Sequence, residues 1–146
     1  MNRLIRILAV ALLAAPMYSQ ECGSSDSTQL PRLTEMARTV IATGAYTGWD
    51  EKAFVRAGDL GSVAIVRALP KSDLIDHMQM RSVLLLLRIS FSCLDLCVQS
   101  SDEREPRVAL LLLELLRQHG SPDTLSEIEE VQTFILKQTE TGKNVK

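Results

Sequence analysis

The chain has 146 residues, of which 46% are hydrophobic and only 4% aromatic, with 16 Lys+Arg against 18 Asp+Glu. That length suffices for one domain with a core of ordinary size. The slightly acidic balance and the scarcity of rings argue against a basic stripe or a stacking platform for nucleic acid. Leucine carries much of the apolar content, Leu, Ala, Arg and Glu favour helix, and period-two alternation is rare, so the expected class is all-α.

Residues 1–20, MNRLIRILAVALLAAPMYSQ, place Arg3 and Arg6 before the uninterrupted apolar run Ile7 to Ala15, then Pro16 and small or polar residues. This is the three-part layout of a secretory signal peptide. The run is too short to make a comfortable membrane span. Cleavage is expected after Ser19 or Gln20, because Ala15 precedes a proline. Ser19-Gln20-Glu21 lacks the small apolar residues that would direct a lipid anchor to Cys22. Loss of Arg3 and Arg6 leaves 14 Lys+Arg against 18 Asp+Glu, a mature net charge of −4 that suits neither nucleic acid nor an anionic membrane surface. The expected location is periplasmic or secreted, with no stable membrane insertion after cleavage.

Residues 21–29 turn to Ser, Gly, Asp and Gln and read as a flexible leader. A helical domain is expected over 30–140, with a flexible tail over 141–146 and fraying from Thr139. Its first helix spans about Pro31 to Thr43, where Leu33, Met36, Ala37, Val40 and Ile41 form one apolar stripe. Pro31 suits the first turn and Gly44 the exit. After a linker, Asp50 is the expected N-cap of a short helix to about Ala57, with Trp49 stapled onto Phe54. Gly58 ends it, and Asp59 caps a third helix running to about Leu69 before Pro70.

The longest apolar stretch, Asp73 to Gln99, reads as one central helix opened by Ser72 or Asp73. On a helical wheel Asp73, His77, Arg81, Arg88, Ser92, Asp95 and Gln99 share a polar stripe interrupted by Leu84, opposite Val83, Leu86, Ile89, Cys93, Leu96 and Cys97. So narrow a polar edge demands neighbouring helices. Pro106 begins another Leu-rich helix that also wants cover on two sides and ends at His119, with Gly120 as its C′ residue. Ser121 and Pro122 open the last helix, which turns Leu125, Ile128, Val131 and Ile135 inward. Its Glu127, Glu129 and Glu130 lie towards the positive end of the dipole and Lys137 towards the negative end. Short connections make consecutive helices antiparallel, so a small antiparallel bundle is the simplest architecture.

Two segments echo each other at an offset of 26 residues: Asp76 to Leu87, DHMQMRSVLLLL, and Asp102 to Leu113, DEREPRVALLLL. Each has Asp, four residues, Arg, then aliphatics, and Asp59 to Leu69 is a looser third match. The pattern resembles HEAT-type α-solenoid repeats over about Asp50 to Thr139, although the offset is shorter than the ~40 residues usual there. The resemblance implies a short helical repeat with a protein-binding surface and no chemistry.

Three cysteines follow the signal, Cys22, Cys93 and Cys97. In an oxidising compartment an odd number leaves one thiol unpaired or an intermolecular bond. Cys93 and Cys97 share a helical face, so three readings stand: core packing, a disulfide from Cys22 to one of them, or a redox or metal site. The spacing is not C-x-x-C, and no nucleophile elbow, phosphate loop or H-E-x-x-H is present. His77 beside Asp76 points away from it on a helix, and His119 suits a helix C-terminus. The expected function is an exported, non-catalytic interaction or scaffold domain without cofactor or metal, binding a protein partner through Tyr46, Trp49, Arg81, Arg88 and Asp95. The alternative is a redox or metal/cofactor-binding protein using Cys93 and Cys97.

Overall fold

The computed structural model describes residues 27–55, 57–71, 75–92 and 105–144. The expected signal peptide, Cys22, Cys93, Asp95 and Cys97 lie outside them. A 3₁₀ turn, Ser27–Gln29, leads into α1 (Leu30–Thr43), α2 (Gly48–Phe54), α3 (Asp59–Ala68), α4 (His77–Ser90), α5 (Arg107–Gln118) and α6 (Pro122–Asn144). No strand occurs among the described residues, and the fold is all-α.

The expected local signals account for several helix ends. Pro31 stands in the first turn of α1, and Gly44 closes it at φ +70°, a left-handed conformation that glycine adopts without Cβ strain. Leu33, Ala37, Val40 and Ile41 are buried and Met36 packs at the margin, as the apolar stripe requires. Ser121 hydroxyl oxygen accepts from the Thr124 N–H at 3.5 Å, and Ile128, Val131 and Ile135 are buried beneath it on α6.

Other ends depart from expectation. Asp76 opens α4, three or four residues later than the expected Asp73 or Ser72. Its carboxylate accepts from Gln79 N–H (2.8 Å) while the Gln79 side-chain oxygen accepts from Asp76 N–H (3.0 Å). That reciprocal pair satisfies two first-turn donors and defines the start. At the other end α4 stops at Ser90, with Phe91 and Ser92 in a turn, instead of continuing to Gln99. Leu84, placed within the polar stripe, is buried, and Leu85 at the margin of that stripe is exposed, because helices on several sides of α4 decide which margin is covered. Gly120 is not left-handed, so no glycine motif ends α5; His119 is its C-cap. Thr139, expected in the fraying tail, is buried within α6 and donates its hydroxyl to the Leu136 carbonyl; the helix continues to Asn144.

Packing alternates along the chain. α3 lies against α1 and α5, and α4 against α2 and α6, so α1–α3–α5 and α2–α4–α6 form two layers. The layers meet where α4 touches α1 and α3, where α6 touches α5 and where α2 touches α1. Phe54, Ile65, Val83, Leu86, Leu87, Phe91, Leu113 and Ile135 fill the space between, fully buried. The 26-residue echo does not map helix onto helix: Arg81 is the fifth residue of α4 and Arg107 the first of α5, and the two helices belong to different layers.

α3 and α4 approach most closely around Gly58 and Gly61. Gly58, at φ +58°, donates its N–H to the Ser90 carbonyl at 2.7 Å. A Cβ at Gly61 would stand 2.8 Å from the Ser90 Cβ and closer still to its hydroxyl. Alanine at Gly61 is therefore expected to destabilise the fold by ~1–3 kcal/mol through overpacking, despite the helical preference of Ala over Gly. Chemical denaturation of Gly61→Ala reads the sign directly.

Candidate functional site

Tyr46 and Trp49 flank the start of α2. The cap there is Thr47, not Asp50: Thr47 hydroxyl oxygen accepts from Asp50 N–H (3.4 Å), and the Asp50 carboxylate accepts from Thr47 N–H (2.8 Å). This moves Trp49 inside the helix as its second residue, so the expected staple onto Phe54 does not form. Trp49 is 74% exposed while Phe54 is fully buried. The Lys52 ammonium lies 5.4 Å from the centroid of the Trp49 ring, a cation–π contact that leaves most of the indole in solvent. Tyr46 is half-buried. Burial, then the charges of Glu51 and Asp50, pushes its phenol above the ordinary value.

Arg81 and Arg88 lie two turns apart on α4, and both reach α6. Arg81 donates to the Glu127 carboxylate at 3.0 Å. The Arg88 guanidinium stands 4.9 Å from the Phe134 ring centroid and borders a shallow, open groove with Ser126, Glu129, Glu130 and Thr133. Trp49, Arg81 and Arg88 thus belong to the α2–α4–α6 layer, with Tyr46 on the connection into it. Asp95, the fifth expected contact, falls outside the described residues, as do the three cysteines.

The histidines stand on ends. His77 is the exposed first residue of α4, with the Asp76 carboxylate engaged by Gln79 N–H, and His119 is the exposed C-cap of α5. Among the described residues no three His, Cys, Asp or Glu side chains are grouped to hold a metal ion, and no helix is long and apolar enough to cross a membrane.

Asp59 has a role that its local sequence conceals. It was expected to cap its own helix, but it is the first residue of α3, and Gly58 precedes it as N-cap. Its carboxylate crosses to α5 instead, accepting from Val108 N–H at 2.9 Å and Ala109 N–H at 3.0 Å. Pro106, the residue before α5, offers no side-chain cap. Burial raises the Asp59 pKa, opposed by the two backbone N–H groups, by Ser62 and by the nearby Arg107 charge. The buried Ser62 hydroxyl has no hydrogen bond of good geometry, so the backbone donors are the firmer partners. Nothing within three residues of Asp59 signals this contact. By contrast, Thr47-x-x-Asp50 is a legible capping-box variant.

No protein-family model, curated protein or solved structure matches this chain.

Proposed function

We propose that the chain is an exported, non-catalytic interaction domain, built as a short HEAT-like stack, that binds another protein through its α2–α4–α6 face. The carrying observation is that Trp49, Arg81 and Arg88, side chains of the types that dominate protein interfaces, lie on one layer of the fold. Phe134 beneath Arg88 and Glu127 beside Arg81 limit the freedom of both guanidinium groups, which lowers the entropy lost when a partner docks. Alternation of helices between two layers supports a stack of helical hairpins, since each helix contacts its second neighbour, although the 26-residue echo itself does not align the helices. The signal-like residues 1–20 support export.

The test places a photo-crosslinking side chain at Trp49, at Arg88, or at Thr39 on the exposed side of α1, in cells that make the protein. Positions 49 and 88 should trap the same protein and position 39 should not. Arg81→Glu with Arg88→Glu should abolish trapping from position 49. Equal labelling from all three positions, or none from 49 and 88, overturns the reading. Export is read from the same cells by intact mass, which should begin at residue 20 or 21.

A further inference from the structure

The two ends of the α1–α3–α5 layer are unlike. α1 turns Arg32, Glu35, Arg38 and Thr39 to solvent, a polar outer face of the kind that closes a helical stack. At the other end, α5 buries Ala109, Leu112, Leu113 and Leu116 against the fold and exposes the opposite strip, Arg107, Leu111, Glu114, Leu115 and Gln118. Leu111 is 71% exposed and Leu115 44%. Leu111 and Leu115 stand one turn apart within this charged strip, an apolar pair that a partner surface can cover.

We propose that this strip is the contact of a weak, symmetric dimer of the chain, with α5 packed antiparallel against α5 of a second copy. The charges are arranged for self-pairing. With a two-fold axis at Leu111, the two Leu111 side chains meet, Arg107 lies about 6 Å from the axis along the helix, and Glu114 of the second copy lies about 4.5 Å along on the same side. Each copy therefore sets its Arg107 against the other's Glu114, twice by symmetry. Leu115 falls level with the aliphatic stem of the opposing Arg107 and extends the apolar contact.

The present partners of these charges do not prevent the exchange. Arg107 pairs with Glu105 at 2.6 Å and Glu114 with Arg117 at 2.7 Å, but these are surface ion pairs, worth ~0–1 kcal/mol each. A parallel arrangement would set Arg107 against Arg107, so charge selects the antiparallel one. One helix pair buries less than the ~1,200 Å² of a standard stable interface, which makes the dimer weak. This surface is separate from the α2–α4–α6 face, so the two readings fail independently.

Sedimentation of the mature protein from about 1 μM to several hundred μM should show a monomer–dimer equilibrium. Leu111→Lys should weaken it at least about tenfold with an unchanged helical spectrum, because the side chain is exposed in the monomer. Arg107→Glu alone and Glu114→Arg alone should each weaken it, and the two together should restore it. A protein monomeric throughout, a dimer indifferent to Leu111→Lys, or a double variant no better than the singles overturns the proposal. In a monomer, thiol labelling of Leu111→Cys separates the remaining occupants. Protection means that this chain's own residues 93–104 cover the strip, and rapid labelling leaves it to a different protein.

Discussion

Truncating Phe91 to alanine is expected to remove about 3–5 kcal/mol of stability, the range for a fully buried ring whose site cannot collapse. Phe91 is 0% exposed and sits directly after α4, its N–H bonded to the Leu87 carbonyl at 3.3 Å. Ser90, immediately before it, holds the junction with α3 through Gly58. A cavity here lies at a hydrogen-bonded corner, where neighbours on two helices are fixed by backbone contacts and have little room to move in. Against a total of ~5–15 kcal/mol for a domain of this size, the loss brings the variant close to unfolding. Urea denaturation should show the midpoint falling by a large fraction with the slope little changed. A loss below about 1 kcal/mol would mean that the ring is not part of the packed core.

Asp59→Ala is the second large effect, and its pH dependence has an unusual sign. The variant leaves Val108 and Ala109 N–H without their acceptor at the start of a helix that has no other side-chain cap. Loss of such a cap costs ~1–2 kcal/mol. Burial holds the Asp59 carboxyl above its unfolded value of 3.8, so in the folded protein it takes up its proton at higher pH than in the unfolded chain. Stability from this group is then fully present below the unfolded pKa and declines as pH rises through the folded one. The penalty of Asp59→Ala should therefore be larger at about pH 3 than at about pH 7, unlike that of a salt-bridged carboxylate. Denaturation of both proteins at the two pH values checks it. An equal or smaller penalty in acid would show that the two N–H bonds outweigh burial. Exchange of the Val108 and Ala109 amides should also quicken in the variant, which a general loss of stability would not confine to those two sites.

The helical class, the division into helices and much of the core were legible because they depend on residues three or four apart. Leu33, Ala37, Val40 and Ile41 repeat at that spacing, as do Ile128, Val131 and Ile135, and all are buried. Pro31, Gly44 and Pro122 act through their own φ, so their effect on helix ends is local. Helix ends differ from the expected ones where more than one nearby polar residue could act as the cap. Asp50 and Thr47 both resemble caps, and only the reciprocal bonds show that Thr47 is the cap and Asp50 the third residue of the helix. Ser72 or Asp73 was expected to open α4, and Asp76 does so because Gln79 returns its hydrogen bond.

The candidate surface was legible in part. Arg81 and Arg88 share a helical stripe, so their common face followed from spacing alone. That Glu127 and Phe134 would hold them required knowing that α6 lies alongside α4, a contact 46 residues away in the first case. Trp49 was expected to pack and instead stands in solvent, because the cap lies three residues earlier than Asp50, at Thr47, which makes Trp49 the second residue of the helix instead of the one before its cap.

By itself, the sequence determined that this protein is helical, where proline and glycine punctuate it, and which stripes of α1 and α6 turn inward, since those properties are set by short-range sterics and periodicity. Only the tertiary structure decided which margin of α4 is covered, that α5 is left with Leu111 and Leu115 in solvent, and that Asp59 caps a helix begun 48 residues later. Cover and capping are relations between helices, and the backbone geometry that brings α3 to α5 arises from the packing of the whole chain.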